Sequence, residues 1–412
     1  MKRHLAILVT LPLVLAHWAV LNGAEVKKGC IIILVARHQI LIAFQMNRRT
    51  FLKTSSVAAV ASLAPLARAA SGPVKSVNKT STAIAAYYLR AQMYTCVPRQ
   101  IREDMEWMAA IGTNYVCVGV LEQDLFAAYE NHALIATEAA RVGMKILAVP
   151  CRWGGLTAGA PKTPSLFSIL NPDTWIINQK GSSRILPKVS GVVSSVHHPK
   201  TFEFFCETLT EMYQQHPGMA GFIIDEPKCF LFDQSEAAVK ALGTNDAPMS
   251  THYAAASAFF GRVCAFAKKK WPDKITVLFQ QPHYSAEELA AGAATPHLDY
   301  YGCDGRPWTA DDDAKMKGSG EGQESGKGKI LLSGKGESFI KAARSVPGRK
   351  SFFLMENHNL QASMIEPMDR NYPAVLALKP DMAAYYYYPR NVDDADRAMA
   401  VIAKHIKAFT QS

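Results

Sequence analysis

Paired metal-binding cysteines are missing from this chain of 412 residues. Its cysteines form no CxxC or comparable spacing, which argues against a zinc ribbon or finger. Seven of them follow Ala70: Cys96, Cys117, Cys151, Cys206, Cys229, Cys264 and Cys303. Cys117, Cys206 and Cys264 fall in apolar patterns, where a small buried hydrophobe is the expected role. No glycine-rich turn follows the first apolar-aromatic run, Ala83 to Tyr94, which counts against a dinucleotide-binding open sheet. No His-x-His pair closes a strand-like segment, and His197-His198 reads as surface loop before a helix. Acidic residues are scarce only at one end. Residues 1–69 hold nine bases against the single acid Glu25, so +8 of the formal +10 belongs to that stretch. The remainder has 36 basic and 34 acidic residues, which removes the main support for a nucleic-acid partner.

Within that basic stretch stand Asn47-Arg48-Arg49-Thr50-Phe51-Leu52-Lys53, a mildly apolar run from Ser56 to Leu66, and Ala67-Arg68-Ala69. In this order the three features resemble a twin-arginine export signal with its A-x-A cleavage site. The resemblance implies the twin-arginine (Tat) export machinery as a partner and a periplasmic or extracellular destination. It also implies a mature chain from about Ala70 with no stable membrane anchor after cleavage. Such substrates fold in a reducing compartment, so no disulfide framework is expected. Residues 1–45 contain two apolar runs, Leu5 to Leu21 and Ile31 to Phe44. They read either as a membrane hairpin or, more simply, as sequence upstream of a start at Met46. The expected organisation is therefore an upstream leader (1–45), a signal peptide (46–69) and a catalytic domain (70–412).

Beyond the leader, strand-like and helix-like segments alternate. Asn114 to Val120, Lys145 to Pro150, Phe222 to Ile224, Ile275 to Phe279, Leu298 to Cys303, Ser351 to Met355 and Met382 to Tyr388 are short apolar runs that follow the first one. Amphipathic segments lie between them: Ile101, Met105, Met108 and Ile111 recur at helical spacing, and so do Phe202, Phe205, Leu209 and Met212. Ser285-Ala286-Glu287-Glu288 spells a capping box. Eight strands alternating with helices, without a composition break, predict a single (β/α)8 barrel. A doubly wound sheet is the alternative. The stretch Cys151 to His198 is expected as a long loop insertion after strand three, over the carboxyl face.

A barrel gathers its strand ends on one rim, and there the polar and aromatic residues collect. Strand one offers Arg90, Gln92 and Tyr94, strand three Arg152 and Trp153, strand four Asp225 and Glu226. Strand five adds Gln280, Gln281, His283 and Tyr284, and strand six Tyr301, Asp304, Arg306 and Trp308. Strand seven gives Glu356, Asn357 and His358, and strand eight Tyr387, Tyr388 and Arg390. Carboxylates, amides and aromatic platforms in one cleft suit sugar binding and acid–base chemistry. Trp153 and Trp308 serve either as stacking platforms or as buried loop anchors. In Tyr385 to Tyr388 alternate members are ordinary core packing, leaving Tyr387 or Tyr388 at the rim.

A glutamate followed by proline after strand four, Glu226-Pro227, and a glutamate after strand seven, Glu356, resemble the clan A glycoside hydrolase barrels. The resemblance spans the mature chain as architecture, but its motifs are these two patches. It implies Glu226 as acid/base and Glu356 as nucleophile of a retaining hydrolase of glycosidic bonds, with no cofactor or metal. Substrate contacts are then expected from Asp225, Arg90, Trp153, Gln281, His283, Tyr301, Asp304, Arg306, Asn357 and Tyr388. The clan usually has Asn where this chain has Asp225. An adjacent Asp-Glu pair is similar to N-acetylhexosaminidases that use substrate assistance, in which Glu356 would only bind. Two rivals stand beside these readings. Glu226, His283, Asp304 and Glu356 could ligate a divalent ion in a sugar isomerase- or epimerase-like barrel, or the barrel could bind carbohydrate without cleaving it.

Overall fold

The computed structural model describes residues 82–88, 96–159, 163–186, 191–281, 285–315, 330–332, 334–389 and 391–412. The export-signal motif, Arg90, Gln92, Tyr94, His283, Tyr284 and Arg390 lie outside them. Eight parallel strands close on themselves: β1 (Ala83–Tyr88), β2 (Tyr115–Val120), β3 (Lys145–Pro150), β4 (Gly221–Asp225), β5 (Ile275–Gln280), β6 (Tyr300–Gly305), β7 (Lys350–Met355) and β8 (Met382–Tyr386). Each strand pairs with its sequence neighbours, and β8 returns to β1 through Ala83↔Met382 to Tyr87↔Tyr386.

A helix follows every strand: α1 (Pro98–Ala110), α2 (Tyr129–Arg141), α3 (Pro199–Gln215), α4 (Met249–Lys270), α5 (Ala286–Ala293), α6 (Lys335–Arg344), α7 (Ile365–Ala377) and α8 (Ala395–Gln411). The expected devices start them. Pro98 opens α1, where its missing N–H costs nothing. Both reciprocal bonds of the Ser285–Glu288 capping box open α5. The buried stripe of α1 is Ile101, Met105 and Met108, the spacing of one helical face. Between β3 and α3 the chain makes a short helix, Leu166–Leu170, and a two-stranded hairpin, Ile185–Leu186 with Gly191–Val192.

Strand alternation sorts side chains into two cores. Ala85, Tyr87, Cys117, Leu147, Val149, Ile223, Val277, Phe279, Phe352, Leu354 and Ala384 fill the barrel interior. Residues of opposite phase, such as Tyr88, Phe222, Tyr301, Phe353 and Tyr385, pack outward under the helices. Polar clamps hold the amino-terminal ends. Asn114, Asp299 and Asp381, each just before an even-numbered strand, accept the backbone N–H of Ile84, Thr276 and Ser351 on the preceding strand, all at 2.8 Å. At the seam, Asp104 of α1 accepts the hydroxyls of Tyr88 at 2.6 Å and Tyr387 at 2.7 Å, tying first strand to last.

Gly302 and Gly218 test the closeness of this packing. A Cβ on Gly302 would overlap the backbone carbonyl of Phe352 on β7, whereas one on Gly218 meets nothing within 4 Å. Backbone cannot yield locally, so Gly302→Ala should lower unfolding free energy by about 3 kcal/mol or more, and Gly218→Ala by less than about 1 kcal/mol. Denaturant titration of both variants checks this.

Candidate active site

The interior phase of each strand, followed to its carboxyl end, assembles the site. On β4 that phase is Ile223 and then Asp225, which is buried at the barrel mouth. Glu226, next in line, would face the opposite way in a regular strand. Its φ of 36° places it in the left-handed region, sparsely populated by residues with a side chain. This turn brings its carboxylate inward, and Pro227 prevents the strand from resuming. Single oxygens of Glu226, Asp304 and Glu356 consequently lie within 4.8 Å of one another.

Cations hold these carboxylates in place. Lys228 Nζ is 2.9 Å from Glu226 Oε2, and Arg306 Nε is 3.6 Å from Glu356 Oε2. His358 Nε2 stands 3.9 Å from Glu356 Oε1. Arg306 is itself fixed: its guanidinium donates to the His358 carbonyl and lies 5.5 Å from the Trp308 ring centroid. Asp225 resolves the crowding differently. Burial first, then the Glu226 charge, pushes its carboxyl up to about 7, against the opposing pull of Lys228 and Arg152. The ring of Tyr386 joins the wall, 4.9 Å from His358, and Tyr87 stands 5.2 Å from it.

Of the residues expected at the rim, Asp225, Glu226, Asp304, Arg306 and Glu356 meet here. Gln281, buried, directly follows the last residue of β5. Asn357 is turned to structural work: its amide donates to Tyr386 O at 3.0 Å and accepts from Tyr386 N at 2.9 Å, prolonging the β7–β8 ladder. Tyr301 has the outward phase, stacks on Phe339, and reaches Gln280 Oε1 and Leu289 O at 2.8 Å each. Trp153 is buried against Phe204 and Phe205, with its indole N–H on Val120 O at 2.8 Å, the loop-anchor role. Trp308 is likewise buried, donating to Asp313 at 3.0 Å. Tyr388 is half exposed and donates to Asp396 on α8 at 3.1 Å.

Tyr87, Tyr386 and Lys228 were not among the expected contacts. The first two were legible from alternation, since Ala83, Ala85 and Tyr87, and Met382, Ala384 and Tyr386, share one phase. Among the described residues of β1, Tyr87 is the last on the inward phase. Lys228 carried no signal, because its position depends on the turn at Glu226.

No protein-family model matches this sequence, and no curated protein does. Solved structures do match in fold. A β-galactosidase from Bacillus circulans sp. alkalophilus aligns with a TM-score of 0.55 at 12% identity, over 81% of this chain and 57% of its own. A β-galactosidase from the psychrophilic Marinomonas ef1 aligns with 0.52 at 12% identity, over 79% and 60%. GH5_18 from Streptomyces cattleya, in complex with GlcNAc, aligns with 0.50 at 11% identity over 80% of both chains. The chain thus spans about three fifths of the β-galactosidases it matches, and what it shares with all three is the fold, a closed (β/α)8 barrel.

Proposed function

We propose that this protein is a glycoside hydrolase of retaining type, with Glu226 as acid/base and Glu356 as nucleophile. The observation that supports it best is the approach of these two carboxylates to within 4.8 Å at the mouth of a closed barrel. Retaining enzymes keep the pair about 5–5.5 Å apart, whereas inverting ones leave about 6.5–9.5 Å for a water. Glu356, placed between Arg306 and His358, attacks the anomeric carbon as Glu226 protonates the departing oxygen. Lys228 Nζ lies 2.9 Å from Glu226 Oε2, so the entering substrate must displace it before that proton is given. Glu226 then takes a proton from the water that releases the sugar. Asp304 adds a third negative group beside the developing oxocarbenium charge.

The carboxylate trio also has the donor chemistry of a divalent-cation site. Lys228 and Arg306 weigh against that reading, because two cations already lie against carboxylates an ion would need. The adjacent Asp225–Glu226 pair favours a different second reading, substrate assistance on an N-acetylated sugar.

One panel of aryl glycosides, with and without N-acetyl groups, separates these. Glu226→Gln and Glu356→Gln should each lower kcat on plain glycosides by about 100-fold or more, and dialysis against EDTA should leave the rate unchanged. Loss confined to Glu226→Gln on N-acetylated substrates would move the assignment to substrate assistance; loss on EDTA treatment would move it to the metal barrel.

Asp225 adds a stability signature. A carboxyl that binds its proton more tightly when folded makes the fold less stable as pH rises from its unfolded value near 4 to about 7. Asp225→Asn, which cannot ionise, should gain on the wild type across that window by up to roughly 4 kcal/mol and no further above it. Melting curves at pH 4, 6 and 8 read the difference.

The motif around Arg48 and Arg49 supports export through the twin-arginine pathway. Replacing both arginines by lysine should retain the protein in the cytoplasm, as immunoblots of cell fractions would record.

A further inference from the structure

The Lys228 ammonium stands against the carboxylate that serves as acid/base in the glycosidase reading, with Nζ 2.9 Å from Glu226 Oε2. Solvent reaches both partners: 18% of the Lys228 side chain is exposed and 14% of the Glu226 side chain. The pair therefore borders space that an entering molecule can occupy. The backbone of Lys228 is fixed. Its N–H donates to the Leu156 carbonyl in the β3–α3 connection, and the next two residues, Cys229 and Phe230, are buried. Its head group is adaptable, because an ammonium on a four-carbon stem can swivel after an anion while the backbone stays put. Arg306, beside Glu356, differs on both counts. Its side chain is 8% exposed, and its guanidinium donates to the His358 carbonyl and lies 5.5 Å from the Trp308 ring.

The pairing conflicts with the first step of the reaction. To act as an acid Glu226 carries a proton, and a protonated carboxyl is no counter-charge for an ammonium. The same carboxyl must face the glycosidic oxygen, since the proton passes to it. The sugar that is released last lies toward Glu356, whose carboxylate reaches the anomeric carbon, so the flank of Glu226 is left to the leaving group. We propose that Lys228 is a specificity-determining residue that selects glycosides whose leaving group carries an anion, a carboxylate or a sulfate. The assignment rests on the glycosidase reading above and names its substrate class. As substrate enters, the ammonium exchanges the Glu226 carboxylate for the anion of the leaving group, which offsets the cost of desolvating a charge and removing its counter-charge. A neutral leaving group supplies no such replacement and is selected against by the difference.

The test uses the full enzyme and phenyl glycosides of the sugar it cleaves fastest, with a meta-carboxylate, a meta-sulfonate or a neutral meta-carboxamide on the ring. In the wild type kcat/KM should favour at least one anionic ring over the carboxamide by about 10-fold, and added salt should shrink that preference. The ring preferred, carboxylate or sulfonate, tells which anion the site takes. Lys228→Gln should lose the preference, and Lys228→Arg, which keeps the charge, should retain most of it. Comparing each ratio between wild type and variant cancels the differing acidity of the phenols. Equal wild-type rates on charged and neutral rings would overturn the assignment, and so would a preference that survives in Lys228→Gln. Where Lys228→Gln does not fold, a wild-type preference untouched by salt, or lost in a folded Lys228→Arg, overturns it instead. A wild type inactive on every glycoside, charged or neutral, would remove the glycosidase reading, and this assignment with it.

Discussion

Three carboxylates with oxygens within 4.8 Å of one another, two of them almost fully buried, repel strongly unless something in the fold compensates. At an effective dielectric near 20, two unit charges 4.8 Å apart cost about 3.5 kcal/mol. The chain meets that cost with cations of its own. Lys228 lies against Glu226 and Arg306 against Glu356, and Arg306 is locked by Trp308 and the His358 carbonyl. Asp225, directly behind Glu226, stays protonated to about neutral pH and so adds no fourth charge there. Trp308 illustrates the layering: it is fully buried, yet it lies against the cation that pairs with Glu356.

That arrangement depends in turn on closure of the barrel. Strands β4, β6 and β7 each contribute one carboxylate, and their registers, Asp225↔Phe279 and Gly305↔Met355 among them, set how far each reaches. The Asn114, Asp299 and Asp381 clamps fix the opposite ends, where no chemistry occurs. Such a division of labour belongs to the architecture: the amino end secures the strands, and the carboxyl end presents side chains.

Much of this was legible before any coordinates. The seven later strands emerge from short apolar runs to within a few residues, because each is buried on both faces and must be apolar throughout. Glu226, Asp304, Arg306 and Glu356 were visible as polar residues directly after such runs. The first strand was less clear. Its aromatic run continues past Tyr88, the last described residue of β1, and apolar content alone does not mark where a strand stops. Trp153 and Tyr301 were ambiguous for a related reason: proximity to a strand end does not give the side chain's phase, and the outward phase leads into the helix layer. Counting residues from the middle of each strand would have separated Tyr386 from Tyr387.

Glu226 is where counting fails and geometry takes over. Alternation places Asp225 and Glu226 on opposite faces, so a regular strand could present only one of them to the barrel mouth. The left-handed turn at Glu226 presents both, with Asp225 as the last inward residue of the strand and Glu226 as the first residue beyond it. A non-glycine residue in that conformation costs about 1–3 kcal/mol. The β4–β5 bond from Glu226 N to Phe279 O at 3.1 Å helps to hold it there. Arg152 and Tyr388, at φ 62° and 45°, make similar turns just past β3 and β8. Backbone strain of this kind also occurs at the opposite end, at His297 and Lys379 before β6 and β8, but at β4 it adds a second carboxylate which alternation would have sent the other way.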